Sequence, residues 1–181
     1  MITRMYKNIV GVTLIAVLAG CQTYVGVPQT REEFVSSTKQ GGLFRNSETI
    51  TVRKPVNDVV ASVKILAEKC LNVTVKTPNT STTGNTGSNT TYRPSMHPQS
   101  NGVSALTIQE SYGARFTQGE PPGGMYTVAA EIRGAARGLT QVDIYHITGR
   151  GMISDAIKSW VLDGNQTCPR FGNFISSVKQ N

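Results

Sequence analysis

The chain has 181 residues, 38% of them hydrophobic, with a formal net charge of +7, three cysteines and two histidines. That length holds one domain plus a tether, and two histidines without a Cys-x-x-Cys spacing argue against a catalytic zinc site. Arg53-Lys54 is the only adjacent basic pair, so no stretch reads as a nucleic-acid-binding run.

Residues 1–20 read as an export signal. Arg4 and Lys7 give a positive start, and an apolar run follows from Ile9 to Leu18. Roughly ten to twelve apolar residues are too few to cross a bilayer core, which takes about twenty, but they suit the hydrophobic region of a secretory signal. Leu18-Ala19-Gly20-Cys21 resembles the lipobox of bacterial lipoproteins. The resemblance implies cleavage before Cys21, diacylation of its thiol and acylation of the freed amine. Two or three chains anchor durably where one would be marginal. In enterobacterial-type lipoproteins an aspartate after the cysteine favours the inner membrane, so Gln22 implies the outer membrane, with the domain facing the periplasm. The 18 basic residues less Arg4 and Lys7 face 11 acidic ones, a net +5 for the mature chain. A modest basic excess favours anionic surfaces such as lipid headgroups or cell-wall polymer.

Residues 21–47 read as the lipidated tether, with Pro28, Gly41 and Gly42 as turn formers. Within it, Thr30 followed three residues on by Glu33 is a capping-box pattern, which predicts a short helix over 31–39 whose Phe34 and Val35 touch the domain. The domain itself is expected over 48–181. Thr49 to Arg53 alternates like a strand and Pro55 suits a first helical turn. Val56, Val59, Val60, Val63, Ala67 and Cys70 then form one face of a helix over 56–71, with Asp58, Lys64, Glu68 and Lys69 off it. Asn72 caps that helix, and Val73 to Lys76 resumes the strand pattern.

Residues 78–101 are low in complexity and nearly free of apolar side chains, which predicts a disordered loop. Tyr92-Arg93-Pro94 near its end offers a contact point for a partner, and His97 lies inside it without a second metal ligand nearby. From Val103 the pattern is sheet. Leu106 and Ile108 share one face; after the turn chemistry of 118–124 come Tyr126, Val128, Ala130 and Ile132 on an inward face; after 134–138 come Val142, Ile144 and His146. Three strands joined by short turns read as an antiparallel meander. Ile153, Ala156, Ile157, Trp160 and Val161 give a closing helix ended by Gly164, and Phe171, Phe174, Ile175 and Val178 suggest a last short one.

With Cys21 taken by lipid, Cys70 and Cys168 remain. In an oxidising compartment an isolated pair reads as a disulfide, against the alternatives of a redox pair or metal ligands. Cys70 ends the first long helix and Cys168 follows the second, so the bond forms if both helices cover the same face of the sheet. The fold class is therefore α+β: a two-layer sandwich of an antiparallel sheet with helices on one face. The order of elements over 48–163, from Thr49-Ile50-Thr51-Val52 and Pro55 through Val59 and Val63 to Trp160, resembles helix-grip folds. Among envelope lipoproteins it is similar to the helix-grip domains of the lipoprotein subunit on the outer-membrane barrel-assembly machinery. Fold-level likeness does not carry function.

Tests for chemistry return little. There is no Gly-x-Ser-x-Gly for a serine nucleophile, and His146 is the only histidine in a predicted element. Gly149-Arg150-Gly151 leads from strand to helix as a phosphate cradle would, but Ser154 stands where the dinucleotide fingerprint needs its third glycine. Asp143 and Asp155 are acids without a spacing that marks them as a glycosidase pair. No catalytic residue, metal or cofactor is expected. The expected role is a non-catalytic interaction or structural module, anchored to the membrane and docking to an outer-membrane or cell-wall protein, with no nucleic-acid partner. The alternative is a small domain that encloses an apolar ligand or lipid between helix and sheet, and the space beside Trp160 distinguishes the two.

Overall fold

The computed structural model describes residues 26–41, 44–77, 88–113, 119–171 and the backbone of 177–180. The expected signal segment and lipobox, residues 1–21, lie outside the described residues. The elements are α1 (Arg31–Lys39), β1 (Arg45–Val52), α2 (Val56–Leu71), β2 (Val73–Thr77), β3 (Ser88–Pro98), β4 (Ser104–Tyr112), β5 (Met125–Ala135), β6 (Leu139–Ile147), α3 (Gly151–Leu162) and β7 (Ser177–Gln180). The strands form one seven-stranded sheet in the order β1-β6-β5-β4-β3-β2-β7, and every neighbouring pair is antiparallel.

This is the expected α+β sandwich. β3 to β6 form a meander, and β1 and β2 add to its two sides, so α2 must carry the chain across the sheet. Five strand spacings separate β1 from β2, about 24 Å, and a 16-residue helix is also about 24 Å long. The helix fits the crossing it has to make. Its Val59, Val63, Leu66, Ala67, Cys70 and Leu71 are buried against the inner face of the sheet, where Leu106, Ile108, Val128, Ala130, Ile132, Val142 and Ile144 belong to the same cluster. α3 adds Ile153, Ile157, Trp160 and Val161 to that cluster, so the two long helices share one face.

The opposite face holds α1. Thr30 caps it, its hydroxyl accepting from Glu33 N at 3.1 Å, and the Glu33 carboxylate accepts from Gln29 N at 2.7 Å. Phe34 and Val35 pack with Ala129 and Tyr145, the strand residues adjacent in sequence to Ala130 and Ile144; the two-residue alternation of a strand sends neighbours to opposite faces. The short helix over 31–39 thus touches the domain through Phe34 and Val35, as expected, and β1 begins at Arg45 inside the expected tether.

Three further expectations are corrected. Residues 88–98 are an inner strand, not part of a disordered loop 78–101; residues 78–87 lie outside the described residues. The segment is polar because most of its residues meet solvent, but Thr90, Thr91, Tyr92 and Met96 suit a half-buried strand and Tyr92 is core. Pro94 does not break it. Gly113 N donates to Asn89 O at 2.9 Å, so odd-numbered residues of β3 bond to β4 and Pro94 turns its missing donor the other way. β2 has already ended there, pairing with β3 only as far as Thr91. Second, Tyr126 faces α1 and not the inner core, because the β4–β5 register slips after Ile108: Val128 opposes Ile108 while Tyr126 opposes Gln109. Thr127 is the extra residue of a β-bulge, which flips the side chain beyond it. Third, the end of the chain makes β7 beside β2 where a short helix was expected. A helix that short is marginal alone, and the open edge of β2 supplies hydrogen-bond partners; Phe174 and Ile175 lie outside the described residues.

Candidate functional site

Cys70 and Cys168 form a disulfide, with Cα atoms 5.1 Å apart across 98 residues of sequence. The bond ties the C-terminal end of α2 to the segment after α3. That segment is held twice more: Trp160 Nε1 donates to Thr167 O at 3.0 Å, and the Phe171 ring lies 4.7 Å from that of Tyr92. Trp160 is 1% exposed and sits in the same packed cluster as Val63, Ile153, Ile157 and Phe171. The space between helix and sheet is filled at the position that distinguishes a packed module from a ligand-binding one. A shallow, open hollow lies on the outer side of α2, lined by Ala61, Lys64, Ile65, Glu68 and Lys69.

Two polar clusters lie at the boundary of the helix layer. In the first, Glu110 continues the inner face of β4 past Leu106 and Ile108 and is fully buried. Arg150, the residue before α3, meets it with both sides of its guanidinium: Nε bonds Glu110 Oε1 and Nη2 donates to Oε2 at 2.6 Å. Tyr112 OH donates to the same Oε2 at 2.9 Å. The hydrogen bonds to Glu110 raise the Arg150 pKa above its ordinary value, and burial with the charge of Glu110 raises that of the Tyr92 phenol. Gly149-Arg150-Gly151 is thus a tight turn that aims an arginine at a buried carboxylate. The guanidinium that a phosphate would need there is spent on Glu110 instead.

The second cluster joins β1 and β6 to α3. Ser154 Oγ bonds Glu48 Oε1, Lys158 Nζ donates to Glu48 Oε2 at 2.8 Å, and His146 Nε2 lies 3.7 Å from Glu48 Oε1. Burial works against the Glu48 carboxylate. The hydrogen bonds from Lys158 and Ser154, with the charges of Lys158 and His146, outweigh it and hold the pKa below its ordinary value. Serine, histidine and glutamate converge here, a grouping invisible in the sequence, where they are spread over a hundred positions. The order is wrong for nucleophilic catalysis. A triad needs the imidazole between serine and carboxylate, whereas Glu48 stands between Ser154 and His146. Ser154 is also fully buried, and His146 Nδ1 is directed to Ile147 O at 3.0 Å.

The remaining sequence candidates separate. Asp143 lies on the outer face, paired with Arg133 at 2.6 Å, while Asp155 is an exposed residue of α3 on the other side, paired with Lys158. They are not a glycosidase pair. His97 is exposed on β3, and Tyr92 is core, so of Tyr92-Arg93-Pro94 only Arg93 is exposed, with its Nη1 donating to Ser111 Oγ at 2.7 Å and Gly123 O at 3.1 Å. Among the described residues, no group of three or more His, Cys, Asp or Glu could hold a metal ion and no helix is long and apolar enough to cross a membrane. No known protein family, curated protein or solved structure matches the chain.

Proposed function

We propose that this chain is a lipid-anchored envelope protein, tethered through Cys21 to the outer membrane and facing the periplasm, where its domain acts as a non-catalytic interaction module. The observation that carries the reading is the lipobox Leu18-Ala19-Gly20-Cys21. The Cys70–Cys168 bond supports it independently, since disulfides persist in oxidising compartments. The non-catalytic part rests on how the polar groups are used: Glu110, Arg150, Glu48 and Ser154 are spent on one another across the helix–sheet boundary. The filled space at Trp160 favours docking by the surface over the alternative of an enclosed apolar ligand.

Palmitate labelling in cells tests the anchor. Wild type is expected to incorporate the label and Cys21→Ser to accumulate as an unlabelled precursor; equal labelling of both would overturn the reading. Crosslinking in cells followed by affinity purification tests the role. A specific envelope protein is expected to be captured by wild type and lost with Cys21→Ser. Recovery of the domain with a stoichiometric bound lipid and no protein would favour the enclosed-ligand alternative.

A further inference from the structure

β1 leaves one side of its backbone unused. Thr148 N donates to Phe44 O at 2.7 Å, and the register continues unbroken from Arg45↔Ile147 to Val52↔Thr140. Alternate residues of an antiparallel strand bond the neighbour. The even-numbered residues therefore bond β6, and Arg45, Ser47, Thr49 and Thr51 turn their N–H and C=O groups to the edge of the sheet. Among the described residues, no strand or loop backbone meets them. Folded proteins blunt such an edge with a short strand, proline, lysine, a bulge or an inward-pointing charge. The eight residues Arg45–Val52 hold no proline or lysine and no bulge. Their one inward charge, Glu48, is neutralised by Lys158 Nζ at 2.8 Å. The neighbouring helices lie over the faces of the strand: Arg45 Nη1 donates to Phe34 O of α1 at 3.3 Å on the outer face, and Lys158 belongs to α3 on the inner one.

Shape and charge define what this edge accepts. Ile50 and Val52 are only partly buried against the inner cluster. Lys54 Nζ donates to Val161 O at 2.6 Å, which brings the end of α3, with Leu162 45% exposed, beside the end of the strand. An added strand would cover these three with every second side chain. Arg45, Arg53 and Lys54 pair with no carboxylate among the described residues. Burial lowers the Arg45 pKa, a cost that a nearby carboxylate offsets. A second copy of the chain supplies the wrong charges. Centring two β1 strands on Glu48 sets carboxylate against carboxylate, and centring them on Thr49 sets Arg45 against the second copy's Arg53; like charges directly opposite are destabilising.

We propose that the free edge of β1 is a strand-addition site for an extended, acidic segment of a partner protein, with carboxylates toward Arg45 and Arg53 and apolar side chains toward Ile50 and Val52. This deepens the interaction-module reading and rests on it.

The mature full-length protein in detergent micelles is titrated with three fluorescein-labelled peptides: Glu-Val repeats, Lys-Val repeats and the protein's own Arg45–Val52 segment. The Glu-Val peptide is expected to bind several-fold more tightly than the other two and to slow amide exchange at Ser47, Thr49 and Thr51. Ser47→Pro and Thr51→Pro each remove an outward donor without touching the β6 ladder, so each should lose most of that affinity at an unchanged melting temperature. Arg53→Glu lies outside the strand and should weaken binding several-fold, which keeps the test open where a proline variant melts early. Absence of saturable binding, equal binding of the two charged peptides, tighter binding of the Arg45–Val52 peptide, or protection elsewhere in place of the edge would overturn the proposal. Capture in cells separates it from the reading beneath it. An envelope protein held equally by wild type and both proline variants removes the edge and leaves the module; wild type that captures nothing removes the module and the edge with it.

Discussion

The two faces of the sheet are held by different physics, although the same strands supply both. The inner face buries Leu106, Ile108, Ile132 and Ile144 under α2 and α3 with Trp160, all essentially inaccessible to solvent, and the disulfide closes that layer. The outer face buries Phe34, Val35, Ala129 and Tyr145 under a nine-residue helix. Its other ties are polar: the ion pairs Arg31–Glu131 at 3.2 Å, Lys39–Glu131 at 3.6 Å and Arg133–Asp143 at 2.6 Å, and the hydrogen bonds from Arg45 Nη1 to Phe34 O at 3.3 Å and from Gln29 Nε2 to Gly119 O at 2.7 Å. The inner layer is the fold, while the outer helix is fastened to it. Disturbing the first should unfold the molecule; disturbing the second should loosen one segment.

The largest effect is expected from Arg150→Met, which leaves the Glu110 charge buried with only Tyr112 to meet it. Breaking a buried pair from one side costs about 3–5 kcal/mol, read as a lower urea midpoint with an unchanged slope. Glu110→Leu combined with Arg150→Met should recover much of that loss, because the unpaired charge is gone. Cys70→Ser comes next, at about 2–5 kcal/mol; wild type should show no free thiol at Cys70 or Cys168 until it is reduced.

On the outer face, Phe34→Ala should raise amide exchange in Arg31–Lys39 while the β4, β5 and β6 amides keep their protection. A uniform loss of protection would mean that the two faces are one cooperative unit. The smallest effect is the pH dependence of Asp143. Burial opposes its charge, but hydrogen bonds from Gln141 and Thr49 and the pairing with Arg133 hold its pKa below the ordinary value. A depressed carboxylate contributes fully above the unfolded value of about 3.9, and the contribution fades as pH falls through the folded value. The difference in melting temperature between wild type and Asp143→Asn should therefore close as pH is lowered through that range.

What the sequence disclosed follows from what periodicity can encode. α2 carries a stripe strong enough that its bounds at Val56 and Leu71 coincide with the expected ones, and the disulfide followed from where two helices end. β3 was hidden because composition reports burial, and a strand with a largely solvated outer side and a proline beyond the end of its β2 pairing looks like a loop. Removing residues 80–99, harmless to a loop, would take out the strand that joins β2 to β4. Tyr126 was misplaced by a single inserted residue, which alternation cannot register. The Glu110–Arg150 and Glu48–Ser154–His146 groupings were out of reach for another reason: they are made by sheet register and helix placement, and each partner alone is an ordinary polar residue.

Intact mass spectrometry of the protein purified from membranes, with alkylation before and after reduction, tests the central claim most directly. The expected mass is that of a chain beginning at Cys21 with two or three acyl chains, with Cys70 and Cys168 alkylated only after reduction. A full-length or differently cleaved chain, with Cys21 bare and both other thiols alkylated without reductant, would contradict it.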